Sequence, residues 1–226
     1  FRSAKQVSVV VLAKSVDLMA GEVHQHVDEH GDEHTSMEMH DASEDVHSDV
    51  FSSDPHFWLD PIIALGLVDQ IEKVLSHRYP DLQNRLELNG REARARLQAI
   101  DATYRSGLAT CEKNEVVTSH NAFAYLAKRY GFETHALAGL SPEAEPSAKR
   151  LAEIAAEVQE GGIKYIFFET LVSPKLAETL AKETGAGTLV FNPIEGVTTE
   201  ERASSVTYFS LMESNLASLR KALECK

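Results

Sequence analysis

Lysine and arginine are missing from Ser15 to Glu72, a stretch that carries fifteen of the 35 aspartates and glutamates in the 226-residue chain. The remaining residues hold 20 acids and 22 bases, so the net charge of −13 belongs to this one segment. A surface for phosphate backbones needs clustered bases, so the charge pattern argues against nucleic acid as a partner and favours attraction of cations. Long apolar runs are also missing: no stretch reaches the roughly 18 residues a membrane-spanning helix requires. Cysteine is scarce, with only Cys111 and Cys225 and no C-x-x-C spacing, which excludes a cysteine-based zinc finger. Two lone thiols can be free and buried, as in a cytosolic protein. They can also form a bridge, which the penultimate position of Cys225 favours. A Cys111–Cys225 bridge would close a loop worth about 4–5 kcal/mol in the chain-entropy picture and would imply an oxidising, extracytoplasmic compartment. The chain begins Phe1-Arg2-Ser3, without Met or a signal-peptide pattern, and is read as a mature or truncated sequence.

Histidine is what the acidic segment has in place of bases. "HQHVDEHGDEHTSMEMHDASEDVH", residues 24–47, holds His24, His26, His30, His34, His40 and His47. Their spacing follows no fixed-geometry motif, and the composition around them cannot bury enough apolar surface to offset chain entropy. Residues of about 20–53 therefore read as a loop that collects metal loosely, the bland alternative being an acidic linker.

Elsewhere the composition is that of a chain with a core, 43% hydrophobic. Val7–Leu12 reads as a buried strand. Asp60-Pro61 opens a helix whose apolar positions recur at helical spacing from Ile62 to Leu75. A second, long helix runs from Leu82 to about Leu108. After Cys111, strand and helix patterns alternate: 115–119, 133–137, 164–168 and 188–191 are strands. Each precedes a helix, the last running from about Thr199 to Leu223. Four βα units imply a parallel sheet with helices on both faces.

Ligands of open α/β sheets bind beyond the carboxyl ends of the strands. There the sequence places His120, Ala138-Gly139, Glu169 and Asn192. His120 and Asn192 could equally be caps or turn residues. Upstream, "DPHFWLDP" holds His56 between prolines and aromatic residues, the setting of a pre-positioned metal ligand or of a packed structural histidine. His77, near a helix end, and His135, inside a strand, read as structural.

Five motifs in order, "DPHFWLDP", "SHNAFAYLAKRYG", "LSPEAEPSAKRL", "FFETLVSPKLAETLA" and "FNPIEGVT", resemble those of the metal-binding solute-binding proteins of ABC transporters, in their zinc-uptake branch. The resemblance implies two α/β lobes with parallel sheets linked by a long rigid helix, with metal in the cleft between them. On this chain that gives a partial N-terminal lobe at 1–80 with the His-rich loop, a linking helix at 81–110 and a C-terminal α/β lobe at 111–226. It implies His56 and His120 as Zn2+ ligands, with Asn192 and Glu169 as weaker candidates, Asn192 standing where the family often has aspartate. A further N-lobe histidine of the family has no match here. The function implied is an extracytoplasmic, monomeric protein that captures Zn2+ and delivers it to a membrane ABC permease, with lipid anchoring of the full-length protein left open. Two alternatives are a zinc-dependent hydrolase, against which stands the lack of H-E-x-x-H, and a cytosolic metallochaperone, which would need both thiols reduced.

Overall fold

A computed structural model describes residues 9–19 and 53–226. Asp60 caps the first helix, α1 (Pro61–Arg78), accepting hydrogen bonds from the amides of Ile62 and Ile63, with proline in the first turn as the sequence predicts. A short 3-10 turn, Pro80–Leu82, reverses the chain into α2 (Gln83–Gly107), and the two helices pack together as a hairpin. At 1.5 Å per residue, α2 is about 37 Å long. Its buried residues Leu97, Ile100 and Tyr104 face the C-terminal part of the chain, where the Tyr104 hydroxyl donates to the carbonyl of Met212 at 2.8 Å.

The rest is a parallel sheet wrapped by helices. In chain order come β1 (Glu115–His120), α3 (Ala124–Tyr130), β2 (Glu133–Ala138), α4 (Ala148–Gly161), β3 (Tyr165–Phe168), α5 (Lys175–Thr184) and β4 (Gly187–Val190). Two helices, α6 (Thr199–Ala203) and α7 (Tyr208–Ala222), close the chain. The strand order is β2-β1-β3-β4, every pairing parallel. Both faces are covered, so adjacent residues of β1 enter different cores. Val116 joins Tyr104, Phe123, Leu126, Met212 and Leu219 on one side. Val117 joins Ile154, Val158, Ile166 and Leu180 on the other. Gly131, at φ +79°, ends α3 as a left-handed cap that a Cβ would strain.

Three aromatic rings from segments at the carboxyl ends of the strands stack on one another. Phe123 and Phe191 lie parallel with centroids 3.8 Å apart, and Phe167 adds to Phe191 at 4.8 Å. A Cys111–Cys225 disulfide, spanning 114 residues, ties the end of α7 to the turn before β1. Around it, the amides of Glu112 and Lys113 bond the Leu223 carbonyl, and Lys226 bonds Thr110.

Two expectations change. Val9–Leu12, the part of the expected strand that lies among the described residues, forms no strand; Leu12–Ser15 is a 3-10 turn, and Val9, Val10 and Val11 are exposed. An apolar run becomes a strand only when a neighbouring strand takes its backbone groups, and none of the described strands pairs with it. The expected final helix is two helices. Ser205 adopts a left-handed φ of 56°, and Thr207 starts α7 afresh through a reciprocal capping box with Ser210.

Candidate metal centre

The sheet order changes direction between β1 and β3: the loop after β1 leads to α3 on one face, and the loop after β3 leads to α5 on the other. Such a switch point opens a crevice at the carboxyl ends of the strands. His120, the last residue of β1, and Glu169, the first after β3, meet there, with Glu169 Oε1 2.6 Å from His120 Nδ1. Both are buried. A carboxylate on Nδ1 holds the proton on that nitrogen and turns the Nε2 lone pair outward.

His56 is built the same way from another part of the chain. Asp54 Oδ1 accepts from the His56 backbone amide at 2.9 Å and lies 2.7 Å from its Nδ1. Trp58 packs its ring against His56, with centroids 5.4 Å apart, and donates Nε1–H to the Pro193 carbonyl at 2.9 Å. Tyr208 in turn bonds the Trp58 carbonyl. The segment ahead of α1 is thereby fastened to the loop after β4 and to α7.

The two outward nitrogens face each other, His56 Nε2 to His120 Nε2 at 3.4 Å. Glu195 Oε1, from the loop after β4, stands 3.0 Å from the first and 3.8 Å from the second. With both imidazoles neutral and their protons on Nδ1, three electron-pair donors converge on this gap. A point equidistant from atoms so spaced lies about 2.0 Å from each, the bond length zinc makes to imidazole nitrogen and carboxylate oxygen. Burial pulls the pKa of His56 down, but Asp54 on Nδ1 and Glu195 on Nε2 outweigh it and hold the pKa above its ordinary value of 6.5. The side chain of Glu195 keeps 29% exposure, so water reaches this otherwise buried cluster from its side.

The sequence profile described as zinc-uptake complex component A, periplasmic (ZnuA), matches residues 1–222. The chain belongs to the ZnuA family. It is 44% identical over 185 residues to the zinc-binding lipoprotein AdcA of Streptococcus pneumoniae, covering 82% of this chain and 36% of that protein. It is 39% identical over 214 residues to the high-affinity zinc uptake system protein ZnuA of Bacillus subtilis, covering 95% of this chain and 63% of that one. This ZnuA-family chain therefore spans well under two thirds of AdcA and slightly less than two thirds of the Bacillus protein. Among solved structures it is similar to the Zn(II)-bound ZnuA-like domain of Streptococcus pneumoniae AdcA, with a TM-score of 0.67 and 44% identity, covering 76% of this chain and 64% of that one.

Of the residues the sequence singles out, His56 and His120 are brought together. Glu169 lies behind His120, on the nitrogen that points away from the shared gap. Asn192 is committed elsewhere: its Oδ1 accepts from the Ile194 amide at 2.8 Å, and its Nδ2 donates to Thr170 Oγ1 at 3.1 Å and Glu201 Oε1 at 3.2 Å. The carboxylate facing the histidines is Glu195, three residues further along the same "FNPIEG" motif and not singled out from sequence. Its signal was a lone acid beside Gly196, which the aspartate-like position of Asn192 overshadowed. His77 is exposed in the last turn of α1. His135 on β2 pairs with Glu157 at 2.9 Å and Glu115 at 3.5 Å, apart from the cluster. His24, His26, His30, His34, His40 and His47 lie outside the described residues. The flanks of that segment are joined next to the centre: the Asp54 amide donates to the Met19 carbonyl at 2.9 Å. The Tyr125 hydroxyl accepts from the Met19 amide at 2.6 Å and donates to the Asp54 carbonyl at 3.0 Å.

Proposed function

We propose that this chain binds Zn2+ as cargo between His56, His120 and Glu195, outside the cytoplasm, and hands it to the membrane permease of an ABC transporter. One observation carries the reading: two imidazole nitrogens and a carboxylate oxygen, set 3.0–3.8 Å apart, enclose a gap of zinc size. Imidazole-rich donor sets suit zinc better than manganese or magnesium, which take more oxygen. Asp54 and Glu169 act as orienting partners of the two imidazoles rather than as donors. The fourth tetrahedral position is open to water or to a donor outside the described residues. The names of the relatives, zinc-binding and zinc-uptake proteins, support the cargo and the transport role. The Cys111–Cys225 bridge supports an oxidising compartment and speaks against a cytosolic metallochaperone.

A hydrolase would need a general base beside a metal-bound water. Asp54 and Glu169 are each engaged with an imidazole, and Glu195 faces the ion itself. None of the three is left for that role, so the centre is read as a binding site without chemistry. Residues 24–47 act in this reading as a low-affinity collector; the described flanks of the segment, Met19 and Asp54, bond each other close to His56.

Competition titration of Zn2+ against a chromophoric chelator tests the assignment. His56→Ala and His120→Ala should each weaken the tight phase by more than the roughly 10- to 100-fold typical of losing an outer partner. Deletion of residues 24–47 should lower only the number of weakly bound ions. Equal losses in all three variants would overturn the reading.

A further inference from the structure

Ile194 has a φ of 58°. A β-branched residue at positive φ is a genuine outlier, and such a residue stays there only when its surroundings over-determine it. It stands between Pro193 and Glu195, so its conformation sets the direction in which the Glu195 side chain leaves the backbone.

Asn192 and its partners supply the over-determination. Asn192 Oδ1 accepts from the Ile194 amide at 2.8 Å, closing a turn over Pro193. The amide end of the same side chain is anchored to Thr170, two residues beyond β3, and to Glu201 of α6. Its backbone is clamped on both sides by one buried side chain of α7: Asn215 Oδ1 accepts from Asn192 N at 2.8 Å, and Asn215 Nδ2 donates to Asn192 O at 2.7 Å. Both asparagines are at most 3% exposed. Pro193 is held by Trp58, whose own segment carries His56.

We propose that Asn192 is a positioning residue for zinc binding: its carbonyl oxygen holds Ile194 in the left-handed conformation that aims Glu195 at His56 and His120. This rests on the reading of Glu195 as a zinc donor. The sequence position that looked like a weak ligand thus acts on the ion through its neighbour. Because Asn192 is bonded to α6 and clamped by α7, the aim of Glu195 is set by the C-terminal helices rather than by the loop alone.

A double-mutant cycle on the full chain separates this role from general stability. Glycine adopts positive φ without penalty, so the bond from Asn192 loses its purpose in an Ile194→Gly background. Asn192→Ala should weaken Zn2+ binding, read by chelator competition, roughly five- to tenfold in the native background, the usual worth of one such bond. It should cost no more than about twofold in the Ile194→Gly background. Equal costs in both backgrounds, with or without a lowered melting temperature, refute the proposal. Should Asn192→Ala fail to fold, Asn192→Leu, of similar size but with no acceptor for the Ile194 amide, enters the same cycle with the same criterion. Glu195→Ala serves as the control. If it leaves zinc affinity unchanged, the donor assignment itself falls; if it weakens affinity while the cycle shows no coupling, only the positioning role falls.

Discussion

Replacing Glu169 probes how much of the centre's strength lies outside the atoms that face the ion. Its carboxylate is buried against an equally buried imidazole at 2.6 Å, a charge-assisted bond with no water to compete. Glu169→Gln keeps an oxygen that can accept the Nδ1 proton, so the ring stays in place, but the bond becomes neutral. The difference between a charge-assisted and a neutral bond is about 1–1.5 kcal/mol, or roughly five- to tenfold in zinc affinity if it acts fully on His120. Glu169→Ala removes the acceptor as well and frees the ring to turn or change tautomer, which should bring the loss to about 10- to 100-fold. The expected order is native, then Gln, then Ala, measured by chelator competition on metal-free protein whose melting curve confirms folding. Native affinity in Glu169→Ala would show that His120 needs no partner on Nδ1 and would sink the reasoning.

Protons should compete with the ion at a higher pH than for an ordinary histidine. Zinc needs His56 Nε2 unprotonated, and Asp54 and Glu195 hold the pKa of that ring above 6.5, so apparent affinity should fall as pH drops through that raised value. A pH series of the same titration that stays flat from about pH 8 to about pH 5.5 would contradict this. Reducing Cys111–Cys225 frees a 114-residue span of the unfolded chain and should lower stability by about 4–5 kcal/mol. Denaturant midpoints that coincide with and without reductant would argue against that estimate.

The βα alternation was legible because each strand is short, apolar and followed by a helical period, and the structure repeats the four strands within a residue or two. His56 and His120 stood out because one is wedged between prolines and the other ends a strand at a switch point. Glu195 did not, since its role depends on the backbone twist at Ile194, and isoleucine gives no hint of positive φ. The break between α6 and α7 had a signal in "SSVT", residues 204–207: Ser204 ends α6, Ser205 turns left-handed, and the Thr207 hydroxyl caps α7. The apolar period running on into α7 masked it. Val9–Val11 misled for the opposite reason: local composition favours a strand, but strand formation is settled by a partner elsewhere in the fold.

The stacked rings of Phe123, Phe167 and Phe191 tie together the segments that build the centre. Each belongs to a segment that also carries a residue of the centre or its support: His120, Glu169 and Asn192 respectively. Among the described residues His56 and His120 are buried while the Glu195 side chain keeps 29% exposure, so the centre opens to solvent on the Glu195 side. If the centre holds zinc as proposed, a partner that takes the ion would approach from that side.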